Sequence, residues 1–391
     1  MLDQNASEED VQPFSFDADY DLARRAELDR PPELPLTEAL RHATRETGSG
    51  TSWLKDFWRS LSGPGKLTAS EYFYYRLYVG GRSPADAQRF VGKAAQAKMH
   101  RACCDPKWFA AALDKLHFLT VMHGAGVPVA ETVAVYNPPG WREHPKLITR
   151  TESLETLLEW PDTYPVFAKP IDGMYSVGAL SITDGGDGWA HVKGVGQVPV
   201  GEIAGYMDRM SSEGYLLQRT LNPHPDLHTA MGGTLGTVRF LVLTGDDGPV
   251  VESAVAKIPQ ASNIADNYWR TGNMLGALDL ETGRITRVTT GTGPGLREIT
   301  HHPVTEAELV GLQMPEWHAA KTMCRRAAMA LPGLRTQSWD IALTNRGPVA
   351  IEVNWGGDLN LHQLAHDRGI LSPSMIQHLR RNGYSGKLPE D

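Results

Sequence analysis

The spacing of apolar side chains predicts a helical layer in roughly the first 100 residues, the size of a small domain. Residues 19–28 fit a short helix within an acidic tail, and residues 36–63 carry apolar side chains at helical spacing. In the second segment, four apolar residues at positions i, i+3, i+4 and i+7 predict one amphipathic face: Leu54, Phe57, Trp58 and Leu61.

Two capping signals predict further helices in this layer. The sequence Thr68-Ala-Ser-Glu71 has the capping-box pattern, so a helix is expected over the aromatic residues 72–77. The sequence Ser83-Pro-Ala-Asp-Ala predicts the start of another helix, which is expected to reach about residue 97.

Beyond residue 105, short apolar runs alternate with helical spacing, which is the pattern of an α/β protein. Helices are predicted at 105–123, 153–160, 200–213 and 315–331, and in the C-terminal residues. Strands are predicted at 127–135, 214–218, 236–243 and 250–258, with shorter β segments at 276–279 and 285–288. Residues 138–140 are predicted to be a turn, and residues 221–233 a polar loop.

Composition narrows the class of protein. With 391 residues, 41% of them hydrophobic, the chain is long enough for two or three packed domains, and its net charge of -8 argues against a general nucleic-acid binder. Cys103, Cys104 and Cys324 show neither metal-ligand spacing nor a disulfide framework, which fits a reducing cytoplasm. The acidic start is unlike a signal peptide, and no apolar run approaches ~18 residues, so no membrane span is predicted.

The stretch 165–182 combines a buried strand with a phosphate-binding type of loop. The apolar run 166–168 predicts a strand that ends at Lys169, and a second apolar run begins at residue 179. Between them lie Gly173, Ser176 and Gly178, and glycines allow main-chain N–H groups to approach an anion while the ammonium neutralises its charge. The stretch therefore predicts a hairpin that holds a polyphosphate, with an ordinary hairpin and a solvated lysine as the alternative.

A second hairpin, predicted at 339–343 and 349–353, carries two carboxylates and an amide. Glu352 and Asn354 are two residues apart on one strand, so they share a face, and the partner strand can place Asp340 beside them. Hard oxygen ligands of this kind suit Mg²⁺. The alternative is that these are exposed polar residues of a strand, but the apolar neighbours favour a buried sheet.

On these features the chain resembles an ATP-grasp enzyme, and among these the sugar-transfer-associated ATP-grasp branch. The resemblance covers about residues 66–375 and depends on both hairpins in combination with three further stretches. These stretches are residues 66–78, the pair Asp114-Lys115 ahead of Gly126-Val-Pro-Val129, and the pair Asp266-Asn267 ahead of Gly272 and Gly276.

The resemblance implies a nucleotide site with ATP and Mg²⁺ as cofactors. Lys115 and Lys169 would contact the phosphates, and the loop with Gly173, Ser176 and Gly178 would close over them. At the hinge between the subdomains, three residues would meet the nucleoside: Leu217 and Gln218 the adenine, and Asp226 the ribose.

The same resemblance implies a reaction centre. Arg239 and Lys257 would lie near the phosphates or an acyl-phosphate, and the Mg²⁺ ligands would be Asp340, Glu352 and Asn354. The D-alanine–D-alanine ligase branch has an arginine two residues before the metal aspartate, where this chain has Ser338. The oxyanion would then be stabilised by Arg239, Arg270 or Lys257.

Several of these residues also have simpler interpretations. Lys115 could be a helix-surface lysine, and Arg239 a structural ion-pair partner. Asp266, Asn267 and Arg270 could cap a loop rather than contact a substrate.

The function implied is an ATP-dependent carboxylate–amine ligase that forms an amide through an acyl-phosphate and releases ADP and phosphate. The branch suggests secondary-metabolite or cell-surface saccharide biosynthesis, with small-molecule acid and amine substrates and a homodimer as in many relatives. One alternative is an ATP-grasp kinase that phosphorylates a hydroxyl or another acceptor. A second alternative is a non-catalytic nucleotide-binding protein.

The predicted architecture is mixed α+β and α/β, namely an ATP-grasp fold with a helical N-terminal extension. Residues 1–104 would form the tail and helical region, and 105–160 a central α/β segment. Residues 161–220 would form the small lid subdomain, and 221–391 the C-terminal subdomain with the metal site.

Overall fold

The computed structural model describes residues 16–28, 35–47, 53–80, 82–137, 146–174, 176–210, 213–260 and 263–389, without the side chains of 24–28. The turn predicted at 138–140 and most of the predicted N-terminal tail lie outside these residues.

Six helices precede residue 104 in the described chain: α1 (Ala18–Leu28), α2 (Leu36–Thr47), α3 (Leu54–Ser62), α4 (Ala69–Tyr74), α5 (Pro84–Ala87) and α6 (Lys93–Cys103). The first of them, α1, packs on the core of the first of the two sheets, and the others form the N-terminal layer. The capping box at Thr68 and Glu71 is confirmed in both directions. The single helix predicted from residue 83 to about 97 is wrong, because the chain is extended at Gly92 (ψ 168°), which begins α6 as a separate helix.

The amphipathic face predicted for α3 is only partly correct. Phe57 and Leu61 pack against the aromatic core of this layer, but Trp58 is 66% exposed. Trp53, just before the helix, is buried and packs edge-on against Phe57, and Ser60 is also buried. The buried face of α3 is therefore rotated about the helix axis relative to the predicted face, and Trp58 lies on the exposed side.

The helix predicted at 105–123 is interrupted at Asp114. A short 3-10 turn at Pro106–Trp108 is followed by α7 (Ala110–Leu113) and α8 (Lys115–Gly124). Asp114 has extended dihedral angles, and its carboxylate accepts hydrogen bonds from the main-chain N–H groups of Leu116 (2.7 Å) and His117 (3.0 Å). This N-cap starts a new helix and places Lys115 at its first position.

The first sheet has seven strands in the order β2-β1-β7-β3-β4-β5-β6. They are β1 (Thr132–Tyr136), β2 (Leu147–Ile148), β3 (Val166–Pro170), β4 (Leu180–Gly186), β5 (Trp189–Val192), β6 (Gly196–Pro199) and β7 (Tyr215–Arg219). The predicted β3–β4 hairpin is confirmed, β5 and β6 were not predicted, and the strand predicted from residue 127 begins at Thr132. Helices α9 (Thr151–Leu158) and α10 (Val200–Met210) contribute to the core of this sheet.

The predicted polar loop at 221–233 contains a short helix, α11 (Pro225–Ala230). Its first residue is a proline, which is preorganised for that position, and Leu227 and Ala230 are buried. The segment that was predicted as a polar loop therefore contributes two buried apolar side chains to the fold.

The second sheet also has seven strands, in the order β12-β11-β10-β9-β8-β13-β14. They are β8 (Thr237–Gly245), β9 (Gly248–Ile258), β10 (Met274–Leu278), β11 (Ile285–Thr290), β12 (Arg297–Ile299), β13 (Thr336–Thr344) and β14 (Gly347–Asn354). The remaining helices are α12 (Trp317–Met329), α13 (Leu359–His366) and α14 (Pro373–Arg381).

The two faces of the second sheet have different covers. One face packs on α12, where Phe240 stacks with Trp317 at 5.2 Å between ring centroids. The other face, which includes Val255, packs on α13 and the N-terminal aromatic residues.

A buried amide network joins α13 to the N-terminal layer. The Asn360 carbonyl oxygen accepts hydrogen bonds from the Tyr75 hydroxyl and from Gln96 Nε2 (2.6 Å). Gln363 exchanges hydrogen bonds with the main chain of Val91, at 2.8 and 3.0 Å, and donates to Tyr75. These side chains are buried, so the network ties the helical layer firmly to the second sheet.

The described residues include no helix that is long and apolar enough to cross a membrane. The three cysteines are buried and free.

Candidate active site between the two sheets

Strand register sets three charged side chains in a row on the second sheet. Asp340 lies opposite Arg239 on one neighbouring strand and opposite Glu352 on the other. Lys257 lies opposite Thr237, which is two residues from Arg239 and therefore on the same face. The β13–β14 hairpin thus brings Asp340 and Glu352 together, as the sequence predicts, and the strands β8 and β9 add two cations.

Asp340 is 2% exposed, and both of its oxygens are hydrogen-bonded. Arg239 Nε donates to Oδ1 at 2.7 Å and Arg239 Nη2 to Oδ2 at 2.6 Å, while Lys257 Nζ donates to Oδ2 at 2.9 Å. Arg239 is therefore an ion-pair partner of the predicted metal aspartate, whichever further role it has.

The charges of this cluster determine its protonation. Burial on its own would raise the pKa of Asp340, but the charges of Arg239 and Lys257 outweigh burial and hold that pKa well below its usual range. Burial would likewise lower the pKa of Lys257, but the charges of Asp266 and Asp340 raise it. All three groups are consequently ionised at neutral pH.

Glu352 and Asn354 form the open side of the cluster. The Glu352 side chain is 39% exposed, with Oε1 at 3.8 Å from Arg239 Nη2 and at 3.4 Å from Asn354 Nδ2. Among the described residues, no group of three or more His, Cys, Asp or Glu side chains could hold a metal ion. Two carboxylates and an amide fit Mg²⁺ by donor type, and Glu352 and Asn354 have the accessible oxygens.

Lys169 lies across a narrow cleft from this cluster. The cleft is lined by residues of both sheets and of α8, among them Lys169, Lys115, Gln218 and Ile351. Burial lowers the pKa of Lys169, and the charges of Glu352 and Asp340 offset only part of that effect. Its ammonium makes no hydrogen bond or ion pair with any other residue that the structure describes.

Lys115 reaches the loop after β3 from the first turn of α8. Its Nζ donates to the carbonyl oxygens of Ile171 (3.0 Å) and Gly173 (2.7 Å). The second predicted lysine therefore lies in the same cleft as Lys169, and it holds the loop that contains Gly173.

The loop between β3 and β4 is tightly constrained at Gly178. Its φ of +76° is in the left-handed region, and an added Cβ would lie 2.9 Å from atoms of Met210, Pro170 and Tyr215. Ser176 also has a positive φ, and its carbonyl oxygen accepts a hydrogen bond from Arg270 Nη2 at 3.0 Å. This hydrogen bond connects Arg270 to the loop.

Leu217 and Gln218 point to opposite sides of β7. Leu217 is buried in the core beneath the first sheet, so only its main chain can serve a ligand in the cleft. Gln218 lines the cleft, and its Nε2 donates to the Ala130 carbonyl oxygen at 3.2 Å.

The Asp226 side chain is more exposed than those of the predicted metal ligands Asp340 and Glu352. It is in α11 with a side chain that is 72% exposed, and its carboxylate is 3.6 Å from His224 Nδ1. No contact among the described residues joins it to the cleft.

Two further charged residues, Asp266 and Lys193, make polar contacts and were not among the predicted site residues. Asp266 binds Lys257 Nζ at 3.1 Å, whereas the sequence left a substrate contact and a loop cap open for this residue. Lys193, in the turn between β5 and β6, donates to Thr234 Oγ1 at 3.0 Å and so joins the first sheet to the loop after α11. Lys193 could not be predicted from the sequence, because it is a single lysine between two strands that were themselves not predicted.

The model of the sugar-transfer associated ATP-grasp family matches residues 96–378, so the chain belongs to this family and has an ATP-grasp fold with a helical N-terminal extension. ATP-grasp ligases use ATP and Mg²⁺. No match is found among curated protein sequences.

Solved structures with a similar fold are ligases and synthetases of low identity. The ATP-grasp ligase PsnB, complexed with a minimal precursor, is 16% identical over 73% of this chain and 68% of its own, with a TM-score of 0.37. D-alanyl-alanine synthetase A from Vibrio cholerae is 14% identical over 72% and 63%, with a TM-score of 0.37. The purK N5-carboxyaminoimidazole ribonucleotide synthetase is 12% identical over 69% and 52%, with a TM-score of 0.36.

Proposed function

We propose that this protein is an ATP-dependent carboxylate–amine ligase that works through an acyl-phosphate. The observation that supports this most is the cleft in which Lys169 lies, without a partner among the described residues, opposite the Asp340–Glu352 pair of the other sheet. A desolvated ammonium beside oxygen ligands suits a Mg-polyphosphate, which supplies the negative charge that Lys169 lacks.

Each residue of the cleft has a proposed task. Lys169 and Lys115 neutralise the phosphates, and the loop with Gly173, Ser176 and Gly178 covers them. Gln218 and the main chain of Leu217 contact the adenine, and Asp226 reaches the ribose. Asp340, Glu352 and Asn354 hold Mg²⁺, which supplies charge neutralisation for the phosphates when it is bound.

The proposed chemistry has two steps. A substrate carboxylate oxygen attacks the γ-phosphorus, a P–O bond forms, and the bond to ADP breaks. An amine then attacks the acyl carbon, phosphate leaves with the C–O electron pair, and the amine loses a proton to give the amide. Lys169, Arg239, Lys257 and Arg270 are the cations that can stabilise the charges, and the covering loop excludes water that would hydrolyse the acyl-phosphate.

We propose small-molecule substrates of the kinds found in secondary-metabolite or cell-surface saccharide biosynthesis. Amino acids, peptides and sugar acids are the carboxylates to test first, since the cleft is rich in cations that can pair with a carboxylate.

A hydroxylamine trap tests the proposal. The protein is incubated with Mg-ATP, hydroxylamine and pooled carboxylic acids, and we expect ADP together with a hydroxamate. Lys169→Ala and Glu352→Ala should abolish both products. Asp246→Asn, which removes a charge from a side chain that is 90% exposed, should leave them unchanged.

Two other outcomes would assign the protein to a different functional class. ADP with a stable phosphorylated product and no hydroxamate would mean a kinase. Binding of ATP with no product from a second, wider pool would mean a non-catalytic nucleotide-binding protein.

A further inference from the structure

Two cations compete with a metal for Asp340 in the arrangement that the structure shows. Its two oxygens accept three hydrogen bonds from two cations, Arg239 and Lys257. A Mg²⁺ placed on this carboxylate would face two positive charges at short distance in a buried setting, where charge repulsion is strong. At least one of the cations must move away before Asp340 can act as a ligand.

The two cations differ in how they bind Asp340 and in which other carboxylate each could bind instead. Arg239 is held by a two-pronged pair, which is the stronger geometry, and its other carboxylate neighbour is Glu352 at 3.8 Å, itself a proposed ligand. Lys257 makes a single bond to Asp340 from a flexible stem. Its other carboxylate neighbour is Asp266, at 3.1 Å, which has no proposed metal role.

Asp266 is held in place to receive a cation. Its Oδ2 accepts hydrogen bonds from the main-chain N–H of Thr237 at 2.8 Å and from the Thr237 hydroxyl. Its Oδ1 is then directed at Lys257, which lies opposite Thr237 in the β8–β9 pair. The carboxylate therefore stays fixed while the lysine side chain can shift between two acceptors.

We propose that Asp266 is a positioning residue that takes over Lys257 when Asp340 releases it to bind a nucleotide-borne Mg²⁺. This inference rests on the proposed nucleotide site. Without Asp266, Lys257 has one carboxylate in reach and stays on Asp340, so the metal competes with it directly.

The test measures how strongly metal and nucleotide binding are coupled. The affinity for the β,γ-imido analogue of ATP is measured by calorimetry with Mg²⁺ and with EDTA, and the ratio of the two is the readout. Partners of metal ligands typically contribute 10–100-fold in affinity, so Asp266→Asn should lower the ratio by about tenfold. The affinity in EDTA should change little, because Lys257 keeps its charge.

Two controls separate positioning from a general structural effect. Asp246→Asn removes one exposed negative charge and should leave the ratio unchanged. In a Lys257→Gln background, adding Asp266→Asn should change the ratio by less than about twofold, because two residues that act through one contact have non-additive effects. Asp266→Ser repeats the charge removal if the asparagine variant does not fold.

The proposal is overturned if a folded Asp266→Asn protein keeps the parental ratio. It is also overturned if the variant loses affinity equally with Mg²⁺ and with EDTA, since that is the result of a structural defect. A parent protein that binds the analogue in neither condition would overturn the nucleotide site itself, and this inference with it.

Discussion

The two hairpins on either side of the cleft differ in whether a buried charged side chain has partners within the fold. On β13–β14, Asp340 is almost fully buried and has both oxygens bound by cations from neighbouring strands. On β3, the ammonium of Lys169 is desolvated and makes no hydrogen bond with another described residue. The first hairpin satisfies its charge within the fold, while the second keeps a charge whose burial is uncompensated.

This difference separates stability from activity. Removing one member of a buried group of a carboxylate and two cations is strongly destabilising, because it leaves an uncompensated buried charge. A desolvated lysine without a partner costs stability, and such a residue is a candidate for function. Substitutions in the two hairpins should therefore have different signatures, and we order them by the expected change in the free energy of unfolding.

The largest loss is expected for Asp340→Asn. It leaves Arg239 and Lys257 buried with one negative charge fewer, which typically costs about 3–5 kcal/mol. Glu352→Gln is the matched control, since it alters the cross-strand neighbour of Asp340 on a side chain that is 39% exposed. Urea unfolding should show a loss below about 1 kcal/mol for the control. Equal losses in the two variants would contradict the comparison.

An intermediate loss is expected for Gly178→Ala in the β3–β4 loop. Alanine at φ +76° is strained, and its Cβ would crowd Met210, Pro170 and Tyr215, for a combined cost of about 2–3 kcal/mol. Gly188→Ala shares the strain, with φ +83°, but its Cβ meets nothing within 4 Å. The control should lose about 1 kcal/mol, so the difference in urea unfolding isolates the crowding.

The smallest change in stability is expected for Lys169→Met. Removing an unpaired, desolvated ammonium while keeping the length of the side chain should alter the free energy of unfolding by less than about 1 kcal/mol. Hydroxamate formation should nevertheless fall by about 10²–10³-fold, the usual effect of removing one transition-state contact. Lys107→Met, at an exposed lysine, should change neither quantity. A marked loss of stability without loss of turnover would make Lys169 a structural residue.

Local patterns predicted the parts of the site that depend on neighbours along the chain. The two-residue period of a strand placed Glu352 and Asn354 on one face, and a hairpin of matching length placed Asp340 beside them. The β3–β4 hairpin was predicted from two short apolar runs on either side of a glycine loop.

The remaining parts depend on contacts that sequence spacing does not encode. Arg239 is 101 residues from Asp340, and the pairing of β8 with β13 decides that they meet. The break at Asp114 was not predicted, because apolar residues occur at helical spacing on both sides of it. Only the geometry of the N-cap shows that one helix ends and another begins there. The helix α11, which contains Asp226, was not predicted because the segment is polar in composition, although Leu227 and Ala230 are buried.

Because of the buried amide network between α13 and the N-terminal layer, the first residue of the region matched by the family model is not the first residue of the folding unit. The matched region begins at residue 96, yet Tyr75 and the main chain of Val91 supply hydrogen bonds to Asn360 and Gln363 inside it. A shorter chain cut at that boundary would lose most of the aromatic residues that pack on the second sheet, expose Val255 and Leu275 beneath them, and leave these amides unsatisfied. The smallest independently folding unit therefore extends well into the N-terminal helices, and a genetic fusion or truncation should respect that limit.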